Sequence, residues 1–350
     1  MKKVLFASTA AAAMAIGGAA SAQGISLFGD ARLGLGYNIF NDGDPLIDED
    51  GDTPDDLRVV SRVRFGVNMT GETDSGITFG ATIRADNAIG GAGDSVDPGL
   101  DDKGQTEGSV FVSGAWGTLT TGDTNAADEQ WVGDLNEVGL TCLGCQNETV
   151  FFSNDGGFDG VGGGDERPTI RYDYDLAGFG ISLSSNRDLS DIGVGGGWTG
   201  DFGGGSVTLG AGYYDFEGFG DVDDPFGIPT GDGFSGNQWS AALGGEFGMF
   251  NGKLIYTSGD VDDVGDFDIG GAGLGAGFGA ISVDAYYFQI IDASDDFADF
   301  DGLQSYGVGA TYDLGGGARI EGGVGQVWSL DPDVADDGFL VADFGIGMAF

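Results

Sequence analysis

Three arginines fall within seven residues in the stretch RVVSRVRFGVNMT, in a chain that has 13 Lys+Arg against 57 Asp+Glu. Arg58, Arg62 and Arg64 all occupy even positions, while Val59, Val63, Phe65, Val67 and Met69 occupy odd ones. Arg32 and Arg84 sit on even positions of two similar stretches, GDARLGLGYN and ITFGATIRAD. A row of permanently charged guanidinium groups makes and breaks no bonds. It attracts anions, repels cations and pairs with carboxylates. Carboxylates of the opposite sign gather in NAADEQWVGDLNEVG, as Asp128, Glu129, Asp134 and Glu137.

Other chemistry is narrowed by what the composition lacks. There is no histidine, which removes the commonest general base and the commonest metal ligand. A barrel-borne hydrolase built on a nucleophile with a histidine base is therefore not expected, and the chain is read as no enzyme. The two cysteines, Cys142 and Cys145, lie together in TCLGCQ and cannot complete a zinc site with sulfur and imidazole alone. A local disulfide in an oxidising compartment is one reading. A redox-active pair is the other, and it needs a helix start that the flanking residues do not supply. No cofactor and no defined metal site are expected. Weak Ca²⁺ binding to acidic loops is compatible with the oxygen ligands that ion takes.

The charges need elements to position them, and the chain must first reach its compartment. MKKVLFASTAAAAMAIGGAASAQG carries a basic start, a short apolar stretch and a small-residue cleavage site, so residues 1–22 are an export signal and the mature chain runs 23–350. Losing Lys2 and Lys3 takes the net charge from −44 to −46. That balance opposes nucleic acid as a partner and draws cations. No later segment is an apolar run long enough for a membrane-spanning helix, which leaves a transmembrane barrel open.

The mature sequence alternates with a period of two. In ISLFGDARLGLGYN, Ile25, Leu27, Ala31, Leu33 and Leu35 share one face, and Ser26, Asp30, Arg32 and Asn38 the other. The arginine stretch and ITFGATIRAD repeat the pattern; glycine dilutes it around Ile192–Trp198 and Asp268–Gly277. Short glycine-rich turns (GETDSG, GAWG, LAGFG, GDFGGG, FGMFNG, GFGA, LGGG) alternate with long acidic connections, the longest from about Gly122 to Arg167. Seven short turns with eight long loops correspond to sixteen strands. Segments of about ten residues, and the asymmetry between short and long connections, favour a membrane barrel over a soluble sandwich. The fold class is all-β, a 16-stranded antiparallel transmembrane β-barrel with short periplasmic turns and long external loops. Tyrosines near strand ends, among them Tyr37, Tyr172, Tyr174, Tyr213, Tyr214, Tyr286, Tyr287 and Tyr312, fit aromatic girdles at the membrane interfaces.

The end of the chain, LVADFGIGMAF, puts Leu340, Ala342, Phe344, Ile346, Met348 and Phe350 on one face. Outer-membrane proteins characteristically end this way, and the barrel-assembly machinery reads Phe344, Ile346, Met348 and Phe350. With GDARLGLGYN, SRVRFGVNMTGETDSGITFGA, FVSGAWGTLTTGD, GDLNEVG and YDLGGGA, this ending resembles an alphaproteobacterial, Rhodobacter-like general diffusion porin. The resemblance implies a homotrimer in outer-membrane lipid and lipopolysaccharide. It implies a third loop, residues 123–167, folded inward to constrict each pore. It further implies that Asp128, Glu129, Asp134 and Glu137 on that loop face a basic wall of Arg32, Arg58, Arg62, Arg64 and Arg84. TCLGC departs from the family's pattern, and a disulfide there would stiffen the loop.

The function expected is passive diffusion of small hydrophilic solutes and ions across the bacterial outer membrane. Size is filtered at the charged constriction, and cations are preferred. The alternatives are a structural or adhesion barrel, which would need a plug, and a secreted Ca²⁺-binding β-roll, whose tandem nonapeptides are not found. The arginines have a plainer reading too, as structural salt-bridge partners of Asp30, Asp86 and other acids on the same face.

Overall fold

The computed structural model describes residues 24–39, 57–88, 106–122, 124–143, 170–186, 189–219, 234–294, 301–327 and 338–350. The expected signal peptide, Cys145 and most of the long connections lie outside them. Sixteen strands are formed. The first eight are β1 (Gly24–Tyr37), β2 (Leu57–Glu72), β3 (Thr78–Ala88), β4 (Thr106–Gly114), β5 (Gly117–Gly122), β6 (Ile170–Leu176), β7 (Phe179–Ser185) and β8 (Ile192–Phe202). Then come β9 (Gly205–Phe219), β10 (Phe234–Phe247), β11 (Phe250–Val261), β12 (Gly265–Phe278), β13 (Ile281–Ala293), β14 (Gln304–Gly315), β15 (Ala318–Val327) and β16 (Phe339–Ala349). A single helical turn, α1 (Glu129–Val132), lies between β5 and β6.

Each strand pairs antiparallel with its sequence neighbours, and β1 pairs with β16 to close the barrel. Phe350 completes the seam: its N–H donates to the Gly29 carbonyl at 2.8 Å, and the Gly29 N–H donates back at 3.3 Å. Closure satisfies the backbone without leaving an edge, which hydrocarbon demands. The period-two pattern decides which face looks out. Ile25, Leu27 and Leu33 on β1, Val59 and Phe65 on β2, and Leu340 and Phe344 on β16 are all exposed on the outer surface. A band of that kind around the whole barrel far exceeds the apolar patches a soluble monomer shows, so its solvent is lipid. A closed antiparallel barrel is not a β-roll, and that alternative falls.

All seven expected short turns are present, and the glycine-diluted stretches are strands β8 and β12. Gly203 and Gly204 join β8 to β9 with φ of 52° and 101°, the double positive φ of a tight hairpin turn. Two expectations are corrected. The β11–β12 connection at the opposite end is not a long loop but Asp262–Val264, whose Val264 is buried with Val261 in the barrel interior. Tyr214 and Tyr286 do not belong to a lipid-facing girdle; they are 0% and 4% exposed on the inner side. Consecutive strand residues point to opposite faces, so in Tyr213–Tyr214 and Tyr286–Tyr287 only one of each pair can face lipid. Tyr287 and Tyr312 do face outward.

The barrel has an apolar core inside it. Ala126, Val132, Leu135 and Val138, all from the third loop, pack against Tyr214, Phe216, Ile255, Ile269, Tyr286 and Phe288 of the inner wall. Burying a Val or Leu side chain stabilises by about 1.5–3 kcal/mol, so three such residues suffice to hold a loop indoors.

Candidate functional site: the loop within the barrel

The third loop is described from Thr124 to Leu143, and its polar contacts follow the wall strand by strand. At its start, the Asn125 carbonyl accepts from Arg171 Nη1 at 2.8 Å, and Arg171 Nε is held by Asp173 at 3.0 Å. The Ala127 N–H donates to Ser184 Oγ at 2.9 Å, and Trp131 Nε1 donates to Ser182 Oγ at 3.0 Å. Helix α1 lies against β8, β9 and β10. Gln238 on β10 donates to Asp128 Oδ2 at 2.9 Å, and Lys253 on β11 donates to the Asp134 carbonyl at 2.7 Å. Asn136 donates to Asn251 Oδ1 and to Asp284 Oδ1, both at 2.9 Å.

The far end is fastened by a carboxylate. Asp343 Oδ2 accepts from the Thr141 N–H at 2.6 Å and from Thr141 Oγ1 at 2.7 Å, while its Oδ1 accepts from the Gly323 N–H at 2.9 Å. Arg32 Nη1 adds a bond to the Leu140 carbonyl at 3.3 Å. Between these bonds the loop comes within 3.0 Å of where a side chain would stand at Gly271, Gly273, Gly309, Gly323 and Gly345, through Leu135, Asn136, Gly139, Val138 and Leu140 in turn. The loop therefore runs round the lumen from β6 to β16 and onto β1.

The remaining strands, β2 to β5, carry Arg58, Arg62 and Arg64 on β2 and Arg84 on β3, all partly exposed toward the lumen. Register brings Arg62 opposite Arg32, and Arg64 opposite Asp30 on one side and Asp86 on the other. Arg62 Nη2 bonds Asp30 Oδ1 at 3.2 Å. Both partners are partly exposed, so the pair is worth about 0–1 kcal/mol and relieves the repulsion between facing arginines more than it stabilises the barrel.

Several residues sit differently from the facing-wall arrangement that the resemblance implied. Arg32 is only 6% exposed and is spent on the loop's carbonyl rather than displayed to the channel. Asp128 and Glu129 are 0% and 3% exposed, because α1 turns that side of the loop onto the wall. Glu137 is exposed. Asp134 is half-buried: its Oδ1 is shut off from solvent with no hydrogen-bond partner. Burial pushes its carboxyl up to about 6, with Lys253 pulling it down and Glu137 adding a smaller push upward. Cys142 is disulfide-bonded; Cys145, the other cysteine of the chain, lies outside the described residues. Among the described residues, no group of three or more His, Cys, Asp or Glu could hold a metal ion.

Sequence reasoning missed Asp343, Gln238, Asn136, Ser182 and Ser184, which do the fastening. The only signal of Asp343, Gln238, Ser182 and Ser184 was a polar residue on the inner face of a strand, shared with many residues that face water, and Asn136 lies on the loop, where no period marks it.

Residues 7–329 match the Gram-negative porin family. The chain is 30% identical to a porin of Rhodobacter capsulatus, over 93% of this chain and 100% of that protein. It is 27% identical to a porin of Fuscovulum blasticum, over 90% and 98%. A porin structure refined at 1.8 Å aligns with a TM-score of 0.61 at 27% identity, covering 93% of this chain and all of that one. OmpT of Vibrio cholerae, in its trimer form, aligns with a TM-score of 0.58 over 94% of this chain, and at 14% identity this is a likeness of fold.

Proposed function

The chain belongs to the Gram-negative porin family, and from that premise we propose that its third loop and arginine wall form a charged constriction that filters by size and favours cations. As a member it is a multi-pass β-barrel of the outer membrane and a general diffusion porin. One observation supports the constriction: the loop is fastened round the inner wall from β6 to β1, so the passage lies between it and β2–β5. On one side stand Arg58, Arg62, Arg64 and Arg84; on the other, Glu137 and Asp134. Opposed charges across a narrow passage select ions by sign and hydration. With a chain so acidic, cations are enriched at its mouths and favoured overall.

By analogy with the trimeric form of OmpT, the protein works as a homotrimer. Lipid and lipopolysaccharide cover the rest of its apolar face. The barrel-assembly machinery reads the outward row Phe344, Ile346, Met348 and Phe350 of the last strand. Cys142 takes Cys145 as its partner, and the acidic connections bind Ca²⁺ weakly.

Planar-bilayer recording tests the reading. Purified protein should insert in steps grouped in threes, with a cation-biased reversal potential under a KCl gradient and a sharp fall in permeation with sugar size. Folded, inserted protein that conducts no current, or one that favours anions, would overturn it.

A further inference from the structure

We propose that the bore of the channel is set by a socket of missing side chains on β7, β8 and β9 into which Trp131 locks, making Trp131 and Gly180 positioning residues for the constriction. The inference rests on the porin reading above and deepens it. A methyl group added at Gly180 or Gly197 would stand within 3.0 Å of the Trp131 ring. Added at Gly195 it would strike the Ala127 carbonyl, at Gly210 the Trp131 carbonyl, and at Gly212 the Asp128 Cα, again within 3.0 Å. Real carbons pack at about 3.5–4.0 Å, so none of these positions tolerates even alanine without movement.

Glycine is not the general habit of these strands. Their outward positions carry Phe179, Ile181, Val194, Trp198 and Leu209, all large and facing away from the lumen. The glycines named above are confined to the face beneath the loop, although each weakens its strand relative to alanine. The indole is also oriented by polar contacts. Its Nε1 donates to Ser182 Oγ, Ser182 Oγ donates to Asp173 Oδ1 at 2.6 Å, and Asp173 holds the Arg171 that binds the Asn125 carbonyl. Trp131 is thus wedged by shape on one side and tied through the wall to the loop's own start on the other. How deeply it seats decides how far α1 projects into the lumen.

Gly180→Ala is the cleanest probe, because the nearest atoms to its new methyl are the Trp131 ring and the flexible Asp175 carboxylate. The ring must lift by roughly 1.5 Å to regain normal contact, carrying the loop inward. Single-channel conductance and the largest permeant sugar should both fall. In a Trp131→Ala background the same Gly180→Ala change should have no effect on either. Gly196→Ala on the outer face of β8, where the closest neighbour is the Gly180 carbonyl at 3.2 Å, should leave conductance unchanged. Thermal unfolding of the wild type, both single variants and the double gives a second readout that needs no current. Positions 131 and 180 should be coupled there, the double variant recovering stability that Gly180→Ala alone loses. Equal effects of Gly180→Ala with and without the indole, or additive stabilities, overturn the socket. A wild type that does not conduct overturns the channel reading instead and leaves the coupling measurement to decide this one.

Discussion

Replacing Asp343 by alanine should unfasten the far end of the third loop while leaving the barrel closed. The carboxylate is 6% exposed and accepts two hydrogen bonds from Thr141, at 2.6 and 2.7 Å, and one from the Gly323 N–H of the neighbouring strand. Hydrogen bonds to a charged group contribute about 1.5–3 kcal/mol each, so the two that tether the loop amount to about 3–6 kcal/mol. Arg32 to the Leu140 carbonyl, at 3.3 Å, is too long to replace them. Leu140 and Val138 stay buried and keep the loop indoors most of the time. Even the lower figure multiplies the detached population about a hundredfold, at roughly tenfold per 1.4 kcal/mol. Single-channel records should therefore show larger current noise and brief excursions to higher conductance, and protease should cut the loop faster. Asp343→Asn keeps one carbonyl oxygen for Thr141 and should fall between. Heat stability of the barrel, measured alongside, separates a loosened loop from a damaged wall. Variant channels as quiet and as protease-resistant as the wild type would refute the assignment of Asp343 as the tether.

Arg64→Ser combined with Arg84→Ser should strengthen cation preference, because each exposed guanidinium opposes a passing cation by up to about 1 kcal/mol in a watery lumen. A shift of the KCl reversal potential in the anion-favouring direction would contradict it. Asp134 supplies a pH dependence with a defined sign. Its carboxyl is raised from 3.8 to about 6, so it is neutral below that pH and charged above it. Cation preference should fall as pH drops through about 6, and Asp134→Asn should remove that inflection. The folded state binds the extra proton, so this group favours folding most below 3.8, and its contribution is lost as pH rises through about 6. Reducing the disulfide at Cys142 should raise loop noise without opening the barrel: closing a loop of about four residues constrains the unfolded chain by only about 2 kcal/mol. Unchanged noise after complete thiol labelling would show that the bond does not stiffen the loop.

What could be read from the sequence was everything that depends on a strand's own period. The odd positions of β1 and β2 named the lipid face, and the glycine turns named the hairpins. They did so because a strand tells its two faces apart without reference to any other element. Alternation does not say what lies against the inner face. Arg32 and Arg62 share a parity and stand opposite each other in register, yet one is closed over by the loop and the other is not. Grouping the loop's acids by charge alone fails for the same reason. A loop has no period from which to decide that Asp128 turns to Gln238 while Glu137 turns to water.

Glycines take the same limit one step further. In the sequence they only dilute the strand pattern, most heavily in β8 and β12. In the barrel some inward glycines mark places where the loop has come too close for any side chain, as the backbone of Ala127 does at Gly195 and Asn136 does at Gly273. Inner-face glycines such as Gly195, Gly210, Gly273 and Gly309 therefore trace the loop's path along the wall, whereas Gly66 on β2 is covered by the Phe28 ring instead. Partly exposed polar residues of the inner face, such as Arg62 and Arg64 of β2, mark the side it leaves open. A loop seated this way is placed by shape before it is held by hydrogen bonds. Filling its seat should change the resting bore, whereas cutting one tether should leave that bore and add noise, brief openings and protease cuts.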